Sequence, residues 1–304
     1  MVSPGIYAAF IGFVLAMLLV DLKFFHRDAE QENNKQSAIW VGVWVGLALA
    51  FGGIVYVWLG SARATEYFAG YLIEYSLSVD NMFVFIVIFE YFQVPAAFQH
   101  RVLFFGILGA IIFRGIFILL GAALLENLEW IIFVFGGLLI LTGVRIARGT
   151  SEVAPERNPI LRLFNRWFKT STQFDGQKLL TVENGRRVAT PLLVVLLVIE
   201  STDIVFAIDS IPAIFAITRD PFIVLTSNLF AVLGLRALYF LIAGSMQKFH
   251  LLKYGLAVIL AFVGTKMILS GFHIHISIGF SLAVVISVLL LTALLSMKVP
   301  PKEV

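Results

Sequence analysis

Nine nearly uncharged runs of about 20 residues follow one another along this chain, and that recurrence commits it to a lipid solvent. They cover residues 5–25, 37–60, 67–92, 101–125, 129–148, 190–217, 221–245, 251–271 and 275–297. Pro191 and Pro212 imply sharp bends in the sixth. Backbone polar groups in hydrocarbon must be satisfied within the segment, so runs of this length read as helices. The expected fold class is all-α: a polytopic membrane protein with about nine transmembrane helices. Composition agrees, since 13% of residues are charged and 60% hydrophobic, whereas soluble chains carry about 25% charged residues. There is no cysteine, which removes disulfides, thiolate metal sites and cysteine nucleophiles. No basic stretch precedes the first apolar run; the first positive charge is Lys23, so no cleavable signal is expected.

Basic residues set the orientation. With the N-terminus outside, seventeen Lys and Arg fall on inner segments, and only Arg63 and Arg219 fall outside. The C-terminus is then inside. The net charge of +3 follows from topology, and nucleic-acid binding is not needed to explain it. Nine of the inner charges lie between Arg145 and Arg187, around a loop containing Pro155, Pro159, the amphipathic stretch Ile160–Phe168 and Asn184-Gly185. A short interfacial helix and a turn fit that pattern, and a solvated topogenic loop accounts for its charge better than lipid-head contact does. It holds no enzyme motif.

The segments flanking this loop resemble each other. Arg114 lies in LGAIIFRGIFILLGA and Arg236 in LFAVLGLRALYFLIAG; Gly143-Val-Arg145 matches Gly264-Thr-Lys266. Each unit has three spans, an odd number, so consecutive copies enter the membrane from opposite sides, as in the inverted repeats of secondary transporters. The expected organisation is two N-terminal helices (1–60), repeat 1 (61–148), a cytoplasmic basic loop (149–189), repeat 2 (190–271), and a C-terminal helix with a short tail (272–304).

Acids inside the third and sixth runs are the conspicuous anomaly. GYLIEYSLSVDN holds Glu74, Asp80 and Asn81; IESTDIVFAIDS holds Glu200, Asp203, Asp209 and Ser210. Each intramembrane acid costs about 2.5–3.5 kcal/mol, so five would cost more than ~10 kcal/mol unpaired. Arg114 and Arg236 are the charge-compensating candidates, and structural salt bridges are the plain alternative to a site. Two bases cannot satisfy five acids, however, and a divalent cation or retained protons would make up the difference.

Glu200 and Asp203 share a helix face, as do Glu74 with Asn81 and Asp203 with Ser210. Asp80 and Asp209 point away on an ideal helix, so a local break at Pro212 or the 76–78 SLS stretch is expected to bring them in. Glu74-x5-Asp80-Asn81 aligns with Asp203-x5-Asp209-Ser210, while depth alone pairs Asp80 with Asp203. These oxygen donors suit Mn²⁺, Mg²⁺ or Ca²⁺. His273 and His275 fall in an outer turn and fit an interfacial pair better than an entry site.

At these motifs the chain resembles the TerC family, and within it the Alx-like branch. The residues that carry the likeness are GYLIE-x-SLSVDN (Gly70 to Asn81), ESTDIVFAIDSIPAIFAIT (Glu200 to Thr218), DPFIVLTSNLFAVLGLRALYFLIAG (Asp220 to Gly244) and LLKYGLAVIL-x-FVGTKM (Leu251 to Met267). The family takes its name from tellurium resistance, and its Alx-like members are regarded as manganese exporters of the bacterial inner membrane. The resemblance therefore implies Mn²⁺ as substrate; the closely spaced acids would let protons compete for the same site and serve as exchange partner, and no permanently bound cofactor or enzymatic activity is expected. It assigns ion handling to Glu74, Asp80, Asn81, Glu200, Asp203, Asp209 and Ser210. Two other roles remain open: a membrane assembly or metalation factor, and a redox or stress-response protein without transport.

Overall fold

The computed structural model describes residues 2–25, 34–128, 130–148, 159–183, 185–243 and 251–298, without the side chains of 21–25, 34, 80, 83, 159–160, 165 and 167. Arg27, Arg157, Lys248, Lys302 and Asn184, all used in the sequence reading, lie outside the described residues. Eleven helices and one hairpin follow in order: α1 (Pro4–Phe25), α2 (Asn34–Leu59), α3 (Ser61–Tyr91), α4 (Ala96–Asn127), α5 (Ile131–Ala147), α6 (Pro159–Trp167), β1 (Leu180–Glu183), β2 (Arg186–Ala189), α7 (Pro191–Phe215), α8 (Pro221–Leu233), α9 (Leu235–Ala243), α10 (Leu252–Gly271) and α11 (Ile278–Lys298). Each apolar run of the sequence is a helix or, for α8 and α9, a pair. Among the described residues six helices are long and apolar enough to cross a membrane: α2, α3, α4, α7, α10 and α11. The α8–α9 pair, bent by 41°, makes a seventh, and Pro4–Val20 and Ile131–Ala147 are shorter apolar helices.

The outer surface is apolar, with Val57, Leu119, Leu290 and Leu294 all exposed. Such a surface requires lipid.

The expected breaks in α3 and α7 are absent. Pro191 is the first residue of α7, where its missing N–H costs no helical bond. Pro212 lies in the last turn, and the helix continues through it to Phe215. The break falls instead at Gly234, between α8 and α9. A Cβ at that position would stand 3.3 Å from the Cβ of Trp44, so glycine lets α2 approach the bend.

Packing joins the two halves more than it joins neighbours within a half: α3 lies on α8, α4 on α7, and α5 on α10. The α5–α10 contact is antiparallel and close. A Cβ on Gly136 would sit 2.8 Å from the carbonyl oxygen of Gly264, and one on Gly143 would sit 2.7 Å from that of Ala257. Exchanging 136 with 257 and 143 with 264 interchanges these two contacts. A similar exchange relates Gly70 against Ser227 to Gly106 against Ile199. Aromatic rings fasten α1 and α2 to this frame: Phe10 and Phe51 meet Phe230, and Tyr7 meets Phe222 edge-on at 5.4 Å.

Polar groups close the two ends differently. On the face where α3 and α8 begin, Arg63 Nη1 donates to Glu66 Oε2 (2.7 Å), and Thr218 Oγ1 donates to the same oxygen (2.6 Å). Asp220 caps α8 by accepting from Phe222 N at 3.0 Å. On the opposite face the central segment forms a small folded body. β1 and β2 pair as a hairpin with Glu183 opposite Arg186, and Gly185 takes φ 76° in its turn. Gln177 Nε2 donates to Ala97 O (3.2 Å), and Phe174 packs on Phe98, seating this segment on the start of α4. The sequence reading anticipated α6 and the turn, but not the strands or their docking.

Candidate functional site

Arg114 lies fully buried in the middle of α4. Its Nε and Nη2 donate to Asp203 Oδ2 (3.2 Å) and Oδ1 (3.0 Å), a two-pronged pairing that matches the planar guanidinium. Its Nη1 donates to Glu74 Oε1. Three helices thus meet at one cation: α3 supplies Glu74, α7 supplies Asp203, and both acids are buried. Glu74 Oε1 also accepts from Ser78 Oγ at 3.4 Å, while its Oε2 has no hydrogen-bond partner.

Glu200 stands one turn before Asp203 on the same face of α7. Its carboxylate lies over Gly109, in the space that a Cβ there would occupy, and its Oε2 is buried without a partner. Glycine at 109 therefore makes room for the acid. Glu74 and Asp203 thus bring two buried carboxylates to one guanidinium, and half-buried Glu200 stands one turn away from Asp203. Breaking a buried pair costs about 3–5 kcal/mol, so the charge arrangement resists casual change.

The remaining expected residues fall in other places. Asn81 and Ser210 are buried, with Nδ2 of the first and Oγ of the second unbonded. Asp209 Oδ1 accepts from Thr142 Oγ1 of α5 (2.8 Å), with the positive charge of Arg145 nearby. With α7 unbroken, Asp209 faces α5 and does not join Arg114, which corrects the expectation of a break that swings it inward. The Asp80 side chain lies outside the described residues.

Arg236 is buried on α9, its Nη2 lying 3.2 Å from His100 Nδ1 near the start of α4. Position 100 is fourteen residues from Arg114, about 21 Å along the helix, so Arg236 is not a second arginine in the same layer. His273 and His275 are exposed in the α10–α11 turn. Among the described residues no three His, Cys, Asp or Glu gather as a metal-ion cluster.

Sequence reasoning missed Thr142, Ser78 and Gly109. Thr142 precedes the Gly-x-basic signature directly, and Gly109 lies five residues before Arg114 in an apolar run that gives no sign of a facing acid.

Fold and site together define a polytopic α-helical membrane protein with a buried, acid-rich centre closed around an arginine. The chain belongs to the integral membrane protein TerC family, whose model matches residues 59–303. A membrane protein of Myxococcus xanthus designated STKORF319 is 52% identical over 271 residues, covering 89% of this chain and 85% of its own. Alx of Escherichia coli (strain K12), provisionally named a membrane-bound redox modulator, is 44% identical over 304 residues, covering 97% of this chain and 94% of its own. The chloroplastic thylakoid membrane protein TERC of Arabidopsis thaliana is 46% identical over 261 residues, covering 85% of this chain and 68% of its own. No solved structure matches.

Proposed function

We propose that this chain exports a divalent cation, Mn²⁺ foremost, across the bacterial inner membrane in exchange for protons. The observation that carries this reading is the excess of buried carboxylates over positive charge around Arg114. Glu74 and Asp203 hold the guanidinium between them, and Glu200 adjoins with an unbonded oxygen. Hard oxygen donors of this kind take Mn²⁺, Mg²⁺ or Ca²⁺. Arg114 acts as a tethered countercharge: an arriving cation takes over its carboxylates, and the guanidinium returns when the cation leaves. Closely spaced acids titrate as a set, which lets protons compete with metal for the same oxygens.

The reading takes residues 61–148 and 190–271 as two copies of inverted hand, between the flanking helices of 1–60 and 272–304 and the basic segment 149–189. The interchangeable contacts at Gly136–Gly264 and Gly143–Ala257 support it. With the N-terminus outside, as the basic residues favour, the Arg63–Glu66–Thr218 network lies at the outer end and the hairpin at the inner. Opening outward then parts the bonds of that network, and opening inward loosens the 174–177 segment from the start of α4.

Purified protein in liposomes, given Mn²⁺, Ca²⁺ or Mg²⁺ and a pH gradient, tests the proposal. Mn²⁺ flux that dissipates the gradient is expected. Asp203→Asn, which keeps the shape of the side chain, is expected to insert normally and lose that flux. Unchanged flux in this variant, or none in the unaltered protein, would defeat the reading. The name of the Alx relative favours a second role in redox balance, and absence of flux for all three metals would point there.

A further inference from the structure

Asn228 stands in the middle of α8, fully buried, and neither its Oδ1 nor its Nδ2 has a hydrogen-bond partner. Its neighbours differ. Thr226 and Ser227 turn their hydroxyls back onto the carbonyls of Phe222 (2.8 Å) and Ile223 (2.7 Å). A dry, unbonded amide costs about 1–3 kcal/mol by mutational measures. An isosteric leucine would avoid that cost.

The periodicity of α8 shows which way the amide faces. Phe222 and Phe230 pack on Tyr7, Phe10 and Phe51 of α1 and α2. Ser227 abuts Gly70 of α3. Asn228 lies about 100° further round, away from the phenylalanines, where α4 is the remaining neighbour. This is the side of the Arg114 cluster.

Depth follows from register. α3 and α8 run side by side in one direction, with Arg63 near Asp220 and Gly70 against Ser227. Glu74 therefore stands beside position 231, and Asn228 lies one turn, about 4.5 Å, nearer the end where α3 begins. α7 runs the other way, since Thr218 at its close meets Glu66 near the start of α3. Glu200 thus flanks the Glu74–Arg114–Asp203 layer on the opposite side. Glu200, Glu74 and Asn228 each carry an unbonded polar atom, and the helix registers set them at three successive depths about the layer.

We infer that Asn228 is a ligand for the transported cation, its carbonyl oxygen supplying the step on the α3-start side of the layer, with Nδ2 donating to a carboxylate oxygen. This rests on the proposed function. A neutral oxygen adds coordination to a divalent ion without adding charge, so the ion can leave as well as enter.

The test is thermal melting of the full-length protein in detergent, without metal and across a Mn²⁺ series, for the unaltered chain, Asn228→Leu and Asn228→Asp. Asn228→Leu is expected to melt higher than the unaltered chain without metal. Its apparent Mn²⁺ affinity should fall at least about tenfold, since losing even a supporting group costs about 10–100-fold. Asn228→Asp, which retains the oxygen, should keep or strengthen the Mn²⁺ response. A lower melting point for the leucine variant without metal, an unchanged Mn²⁺ affinity in it, or an aspartate variant that behaves like leucine would overturn the inference while leaving the proposed function intact. No metal-induced shift in the unaltered protein with Mn²⁺, Ca²⁺ or Mg²⁺ would remove both.

Discussion

Arg114 and Arg236 occupy matching places in the two similar stretches of sequence, yet their surroundings are unlike. Arg114 is clasped by two acids from two other helices, while Arg236 Nη2 lies beside the imidazole of His100, itself stacked on Phe240 at 4.1 Å. Backbone contacts around them interchange neatly, as Gly136 and Gly143 show, whereas the charges do not. Small residues decide how closely helices approach, and the same motif gives the same spacing in both halves. Which acid lands beside which base depends on single positions, and these differ between the two stretches. Two similar stretches can thus share close helix contacts while their buried charges meet different partners.

The sharpest way to break this comparison is to delete each guanidinium. Arg114→Met leaves Glu74 and Asp203 buried and unpaired, so a loss of about 3–5 kcal/mol is expected. Arg236→Met should cost less. Melting curves or unfolding in mixed micelles would compare them; equal losses would show that Arg236 carries a charge partnership as strong as that of Arg114. A smaller effect, about 1–3 kcal/mol, is expected from Gly264→Ala, whose Cβ would press on Gly136 O and force α5 from α10. Gly137→Ala, with nothing within 4 Å of its Cβ, should be silent.

Asp209→Asn sharpens the contrast between the two aspartates of α7. It weakens one bond to Thr142, so about 0.5–1.5 kcal/mol is at stake. Thr142→Val should give a similar loss, and the double variant should show coupling between them. Additive losses would mean that the pair does not act together.

The smallest effect lies outside the bilayer. Hydrogen bonds from Thr181 and Lys178 hold the Asp175 carboxyl below the usual carboxylate range. Its contribution to the hairpin is present above the ordinary carboxylate pKa and lost as pH falls through the lowered value. Hydrogen exchange over 178–190 should therefore quicken only below about pH 4; a flat profile would argue against the link.

Much of the frame could be read directly. Apolar runs long enough to span lipid leave helix as the only economical backbone, so each run was recognisable without knowing its neighbours. Glu74, Asp203 and Arg114 were also visible, because a charge in hydrocarbon needs a partner and few are present. What the sequence hid is which charges meet. Glu74 and Asp203 are 129 positions apart, and nothing local says that Arg114 will lie between them while Arg236 will not. Pro212 misled: proline one turn from a helix end removes little, so α7 stays continuous and Asp209 faces α5. The hairpin escaped notice because its strands are short and mixed in polarity, and their pairing depends on a turn in which Gly185 takes a positive φ.

The cross-pairing of the halves has a consequence for synthesis. Helices α3, α4 and α5 each rest on one made later, so residues 61–148 emerge from the ribosome with their principal neighbours still unmade. Arg114 is laid down 89 positions before Asp203, and of its two described acid partners Glu74 is the one already made in that interval. The nascent membrane must shelter a half-satisfied guanidinium until α7 arrives, which makes the second half the step that completes the first.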